Sequence, residues 1–233
     1  MAGVSAELLS HTPDPERTVA AAARLCYSPR GVSELLNALT DSEVGTLVAR
    51  LREMGHLSAF EHASFTFGVE GISRAASHQL VRHRLASYSQ QSQRYVKLGG
   101  AEAVVPPSIA ERPDLAAEFS RMLEELWNLY RRLVDGGVPP EDARYILPNA
   151  CETKLVVTMN ARELLHFFSL RLCNRAQWEI RLLALEMLRA VSAVAPGLFA
   201  EAGPGCVAGP CPEGEFSCGR AAEVRANLKA LFS

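Results

Sequence analysis

The sequence contains no run of about 18 apolar residues, so no stretch reads as a membrane-spanning helix. It has no excess of one charge either. Lys plus Arg is 24 and Asp plus Glu is 26, a net charge of -2, which excludes a globally basic nucleic-acid coat. Met1 to Arg17 reaches Glu7 without a basic stretch leading into an apolar one, so no signal peptide is expected and the expected compartment is the cytoplasm. A structural zinc site needs about four ligands, usually in tight C-x2-4-C pairs, and the six cysteines do not supply two such pairs. Cys26, Cys151 and Cys173 are scattered like small buried hydrophobes, while Cys206, Cys211 and Cys218 follow a loose C-x4-C-x6-C spacing with no histidine beside them. The expectation there is a Gly/Pro-rich loop with no metal, and no disulfide framework. Gly203-Pro204-Gly205-Cys206 is a fragment of a dinucleotide-binding glycine motif, broken by proline and without a preceding strand, which excludes an NAD-type oxidoreductase fold.

What is present suits one globular domain over residues 1–233: 48% hydrophobic and 21% charged residues are enough to build a core without staples. Helices are predicted over Asp14–Tyr27, from the Thr40-Asp41 cap to Met54 with Glu43 in a capping box and Gly55 as the stop, and over Ser73–Arg84. Pro113–Gly136 reads as a long amphipathic helix with Leu123, Leu126, Trp127, Tyr130 and Leu133 in its apolar stripe. A short helix at Pro140–Ile146 follows. Asn160, with Glu163 at the box position, caps a helix to about Leu172, and Ala176–Val194 forms another. Gly197–Gly219 reads as loop and Arg220–Phe232 as a terminal helix. Ala63, Phe65, Phe67 and Val69 alternate with polar residues as in a half-buried strand, and Lys154–Met159 is a second strand. Leu85–Leu98 is too polar for a core element. Few strands among helices of unequal length predict an α+β fold, helices packed around a small mixed or antiparallel sheet.

The most informative stretch is Gly71–Ala101. It carries Arg74, Arg82, Arg84, Arg94, Lys97, His78 and His83 and no acidic residue, a local positive field in a slightly acidic chain. Gln79, Gln90, Gln91, Gln93, Ser92, Tyr88 and Tyr95 add neutral donors, acceptors and ring faces. Arginine forks suit phosphate, amides suit base edges, and a solvated face would mix both charge signs. The residues alone therefore point to an anionic, nucleotide-like ligand. A nucleotide- or RNA-binding module is the alternative to an enzyme, although outside this stretch basic residues are outnumbered by acidic ones. No cysteine lies in the stretch, which argues against thiolate activation of a base, and Ser92 has no adjacent base to make it a nucleophile.

Arg82-His83-Arg84, seven residues and Ser92 resemble the R-H-R-x7-S signature of the flavin-dependent thymidylate synthases, and the resemblance runs through Arg82–Tyr95. Gly55–His62, Ala143–Pro148, Asn160–Arg171 and Arg175–Arg181 resemble further segments of that family in the same order, so the similarity covers about residues 20–199, with 200–233 a less characteristic tail. The resemblance implies reductive methylation of dUMP to dTMP, with 5,10-methylenetetrahydrofolate as carbon donor and FAD reduced by NADPH, giving tetrahydrofolate. It also implies a homotetramer with shared active sites, and no nucleic-acid or membrane partner.

By the same resemblance, FAD would be held by His56, Ser58, Arg82, His83, Arg84, Gln90, Asn160, Ala161, Arg162 and His166, and dUMP by Gln79, Arg82, Gln90, Gln91, Ser92, Gln93, Arg94, Arg144 and Arg171. Arg171 matches the residue that stabilises charge on the uracil ring. Two positions depart from the family pattern: His166 stands where some members have asparagine, and Gln90 where others have glutamate. Spacing adds one expectation. Arg162 and His166 share a helix face, whereas Arg171, nine residues from Arg162, falls near the opposite face, so this helix would serve two sites.

Overall fold

The computed structural model describes residues 3–96 and 102–230, so Lys97 and the end of the Gly71–Ala101 stretch lie outside the described residues, as does Phe232 of the expected terminal helix. Four strands, β1 (Ser5–His11), β2 (Ser64–Ser73), β3 (Ala86–Gln90) and β4 (Glu152–Asn160), form one antiparallel sheet in the order β1-β2-β4-β3. The helices are α1 (Pro15–Leu25), α2 (Val32–Ala38), α3 (Asp41–Glu53), α4 (Arg74–Leu80), α5 (Pro107–Ala110), α6 (Pro113–Asp135), α7 (Pro140–Ala143), α8 (Ala161–Arg171), α9 (Trp178–Val194), α10 (Pro196–Phe199) and α11 (Ala221–Lys229). Single 3-10 turns lie at Leu57–His62, Arg144–Ile146 and Gly214–Phe216. The expected α+β class holds, and the sheet is antiparallel throughout. Among the described residues no helix is long and apolar enough to cross a membrane.

The chain divides into two compact units. One comprises Met1–Ser5, Val69–Arg82 and Ser89–Leu155; the other comprises Ala6–Gly68, His83–Tyr88 and Val156–Ser233. In the second unit α1 packs on α2, α3 and the 57–62 turn, and α8 packs on that turn and on α9. Thr40 caps α3 as expected: its hydroxyl accepts from the Glu43 amide at 3.3 Å, and the Glu43 carboxylate accepts from the Thr40 amide at 2.9 Å. Phe65, Phe199 and Phe168 meet edge to face, with centroids 5.5 and 6.0 Å apart, and all three are fully buried. In the first unit α6 sets Trp127 and Tyr130 against Ala143, with Leu133, Val138 and Ile146 closing a small separate core.

Three segments differ from the sequence reading. The helix expected to reach Arg84 ends at Leu80, because the chain must become extended for β3 to pair with β4; just beyond β3 the Gln91 amide donates to the Lys154 carbonyl at 2.9 Å. Within the polar stretch Leu85–Leu98, Ala86–Gln90 is an edge strand. Backbone bonds hold it, and polar side chains are no obstacle to those. The expected loop Gly197–Gly219 includes α10 and the 3-10 turn Gly214–Phe216.

β2 ends its alternation at Gly71, where φ is +73° and an added Cβ would stand 2.4 Å from the Gly3 carbonyl oxygen. Only a residue without Cβ fits both conditions. Gly71→Ala is expected to lower unfolding free energy by about 2–3 kcal/mol, combining left-handed strain with a backbone clash. Gly55→Ala, at φ +70° with open space around it, should lose only about 1 kcal/mol. Urea titration of the two variants tests the difference, and equal losses would show that the Gly3 contact is unimportant.

Candidate active site

His83 follows α4 and turns inward, whereas Arg82 and Arg84 on either side of it are exposed. Its ring lies edge-on to Phe167 at 4.9 Å and to His166 at 5.7 Å, both on α8. The Tyr88 hydroxyl donates to the His83 carbonyl at 2.9 Å and fixes the loop backbone. Arg171, at the end of α8, donates from Nε to His83 Nε2 at 3.1 Å. Nε2 is therefore the unprotonated nitrogen, and the neutral ring carries its proton on Nδ1. Nδ1 faces the buried Glu163 carboxylate at 3.4 Å, longer than a normal hydrogen bond.

The electrostatics agree with a neutral ring. Burial first, then the positive charge of Arg171 and the proximity of His166, lower the His83 pKa from 6.5 to about 4. Burial raises the Glu163 carboxyl and lowers the Arg171 guanidinium, which nevertheless stays cationic. Burial, then Glu163, pushes the Tyr88 phenol up. Glu163 was expected only to close a capping box. Its amide does donate to Asn160 Oδ1 at 2.9 Å, but its carboxylate points into the unit toward His83.

Three further flavin candidates of this unit, His56, Ser58 and Arg162, line a cavity of about 460 Å³, whereas Arg84, Asn160, Ala161 and His166 are not among its lining residues. His56 and Ser58 enter it from the 57–62 turn and its cap, and Arg162 from α8, against walls supplied by Ala22, Leu51 and Ala59. Arg162 is ion-paired with Glu61. Apolar walls with a few convergent donors and one cation fit a planar ligand with an anionic group, as FAD is. Ala161 is fully buried and its amide donates to the Ala63 carbonyl, so its side chain stays in the core. His166 and Arg171 both reach the His83 ring despite the face separation expected from spacing. Side chains on a helix lean toward its N-terminus, and Arg171 is long enough to reach back along that direction.

The first unit carries the nucleotide candidates other than Arg171, which belongs to the second. Arg94 donates to Glu141 from Nε at 2.8 Å and lies over the Tyr95 ring, and Arg144 donates to the Glu141 carbonyl at 3.0 Å. The Ser92 hydroxyl accepts from the Arg94 amide at 3.1 Å, while Gln79, Gln91, Ser92 and Gln93 are half-buried. Gln90 spends its amide nitrogen on Ser77 and Thr153, at 3.0 and 3.1 Å, which leaves its carbonyl oxygen as the group open to a ligand. Arg74 was not among the expected site residues. It bonds Thr153 at 3.4 Å, and burial followed by Arg144 lowers its pKa, so a third guanidinium stands near this group. Its place in the acid-free stretch was the available signal. The partners Glu141, Thr153 and Glu163 come from distant segments and left none.

A second cavity in the second unit, about 240 Å³, is lined by Arg171, Arg175, Cys173, Cys206, Cys211 and Cys218 among others. Burial raises the Cys206 thiol, and its neighbours Cys211, Cys173 and Cys218 add to the effect.

Linkage gives the sign of one pH effect. Between about pH 6.5 and 4 the unfolded chain protonates His83 and the folded chain does not, so this residue's contribution falls as pH falls through that window. The raised pKa of Glu163 acts oppositely, its contribution being lost as pH rises through the folded value. In a Glu163→Gln background, acidification over that window is expected to remove roughly 3 kcal/mol of stability, since each tenfold difference in proton affinity between the two states is worth about 1.4 kcal/mol. Adding His83→Gln should flatten the slope. Urea titrations at stepped pH measure both, and an unchanged slope in the double variant would assign the effect elsewhere.

Residues 7–197 match the family described as "Thymidylate synthase complementing protein". A flavin-dependent thymidylate synthase of Geobacter sulfurreducens is 60% identical over 220 residues, covering 94% of this chain and 95% of that one. One from Clostridium tetani is 49% identical and covers 96% of both. Among solved structures, a UMP/dUMP methylase, PolB from Streptomyces cacaoi, bound with 5-Br dUMP, superposes with a TM-score of 0.77 at 26% identity, covering 86% of this chain and 94% of that one. On the matched span and on these identities, the chain belongs to the flavin-dependent thymidylate synthase family.

Proposed function

We propose that this protein converts dUMP to dTMP by reductive methylation, taking the carbon from 5,10-methylenetetrahydrofolate and using FAD reduced by NADPH, with tetrahydrofolate as the other product. The observation that carries the reading is the Arg171–His83 bond inside a chain of this family. FAD, when bound, supplies the redox chemistry of the reaction. Arg171 offers a permanent positive charge to the uracil carbonyl and N3, where negative charge gathers, and acts as an electrostatic stabiliser that does not take up a proton. Neutral His83 accepts from its Nε–H and holds the guanidinium in one orientation. A protonated His83 would lose that acceptor and repel Arg171; its pKa of about 4 prevents this at neutral pH.

Arg94 and Arg144, helped by Arg74, receive the dUMP phosphate, with Ser92 and Gln93 as neutral donors. Arg82, Gln79, Gln90 and Gln91 complete the nucleotide contacts. His56, Ser58, Arg162, Asn160 and His166 face the flavin, with Arg82, His83, Arg84 and Gln90 bordering it. The Asn160 side chain can donate from its amide nitrogen while its oxygen caps α8. Ala161 is wholly buried and its amide is committed to the Ala63 carbonyl, so it supports Asn160 and Arg162 without touching the flavin. The reaction takes place in the cytoplasm.

The sites are shared within a homotetramer. Tyr27, Leu85, Tyr95 and Tyr145 are 91%, 72%, 79% and 83% exposed, and each lines a candidate cavity or adjoins a candidate binding residue. Large apolar groups left open beside a site are what a ligand or second subunit covers.

Arg171→Ala is expected to keep flavin, read from the visible spectrum, while single-turnover oxidation of reduced flavin by dUMP and methylenetetrahydrofolate slows about 100-fold or more. Wild-type turnover would remove Arg171 from the chemistry, and failure of the wild-type protein to take up FAD would favour a flavin-free nucleotide- or RNA-binding module. Mixing Ser58→Trp with Arg171→Ala should restore activity in part of the sites once sedimentation shows mixed oligomers. Mixed oligomers without activity at any ratio would show that this pair is not shared between chains.

A further inference from the structure

Four of the six cysteines line one cavity. Cys173 lies two residues beyond the end of α8, and Cys206, Cys211 and Cys218 come from the segment between α10 and α11. The other two lie elsewhere: Cys26 is exposed after α1 and Cys151 is buried at the start of β4. The 200–220 segment has one 3-10 turn as its only regular structure, and nearly all of 212–220 is exposed, so apolar burial does little to order it. Arginine side chains brace its backbone. Arg225 donates to the Cys206 and Gly209 carbonyls at 2.7 and 2.8 Å, and Arg175 donates to the Phe216 carbonyl and stacks on that ring.

We propose that Cys173, Cys206, Cys211 and Cys218 bind one Zn²⁺ ion as a tetrathiolate, stapling the C-terminal segment to the end of α8. The loose C-x4-C-x6-C spacing supplies three ligands, and the fourth comes from a distant turn that the fold brings to the same cavity. Four thiols with no histidine select a soft or borderline ion, and a site with all four positions filled by protein is a closed, structural one. Binding converts four thiols to thiolates and releases four protons. The resulting charge of -2 is met by the guanidiniums of Arg171 and Arg175, which line the cavity, and Asn174 directs its amide at the Cys218 sulfur at 3.9 Å. Among the described residues no three of these side chains yet converge on one point, so the ion draws the loop thiols of Cys211 and Cys218 inward. Residues 212–220 are exposed and Cys211 is only half-buried, so little apolar packing resists that movement.

The test uses the full chain, purified under reductant from zinc-supplemented cells. Elemental analysis should give one zinc per chain. Cys173→Ser and Cys218→Ser should each cut that content at least twofold, whereas Cys26→Ser should leave it unchanged. Co²⁺ added to the chelator-stripped wild-type protein should produce tetrahedral thiolate ligand-field bands to the red of flavin absorption. This measurement needs no variant to fold. Substoichiometric zinc together with no such Co²⁺ bands would overturn the proposal, as would zinc content unchanged by Cys173→Ser.

Discussion

A buried, neutral imidazole is the constraint on which the candidate chemistry rests. Placing His83 inside disfavours its charged form, and the protein resolves this by giving Nε2 a cationic donor, Arg171, and turning Nδ1 toward Glu163. In the turn that follows α4, His83 lies inward while Arg82 and Arg84 on either side of it are exposed, so one anchor presents two exposed cations. The three residues of the motif thus do different physical work: one fixes position, and two supply field.

Helix α8 carries the other half of that arrangement. Its first turn holds Asn160 as the cap, with Glu163 bonded to it through the backbone and aimed inward through the side chain. Its exposed face sends Arg162 to Glu61 and the cavity of His56 and Ser58, and its end sends Arg171 to His83. The helix is short, eleven residues, so a shift of its axis would move all of these groups together. Burial of Leu164, Phe167 and Phe168, and packing against α9, hold that axis in place. Positioning of the charged groups is thus achieved by apolar contacts on the opposite side of the same helix.

The sequence made the long elements legible because their periodicity is long enough to read. α1, α3, α6, α8 and α9 and the alternating part of β2 all announce themselves through caps, stops or stripes. β1, α2 and β3 do not. β1 reads Ser-Ala-Glu-Leu-Leu-Ser-His, with no β-branched residue; α2 has seven residues; and β3, Ala-Ser-Tyr-Ser-Gln, is made by backbone pairing at a sheet edge, where side chains need no apolar face. The family motifs identified the candidate residues but not what they touch. Glu163 shows the limit: its type and position told of a cap, while its partner lies 80 residues earlier in the chain and is set only by the fold.

The same limit governs the cysteines. A spacing rule for metal ligands works when ligands arrive in pairs from one tight turn, because then local geometry alone brings two sulfurs within reach of an ion. Here three ligands sit in a segment whose glycines and prolines set the turns, and the fourth stands just past α8. Spacing could find three thiols and no site; only the packing of that segment beside the helix end creates a four-thiol cavity. Arg171 borders that cavity while its Nε–H is committed to His83, so the order of the C-terminal segment and the orientation of the Arg171 guanidinium share one short stretch of backbone, Arg171 to Cys173. A segment with so little buried surface of its own can influence the candidate chemistry only through that stretch, which is where the fold has placed its one remote thiol.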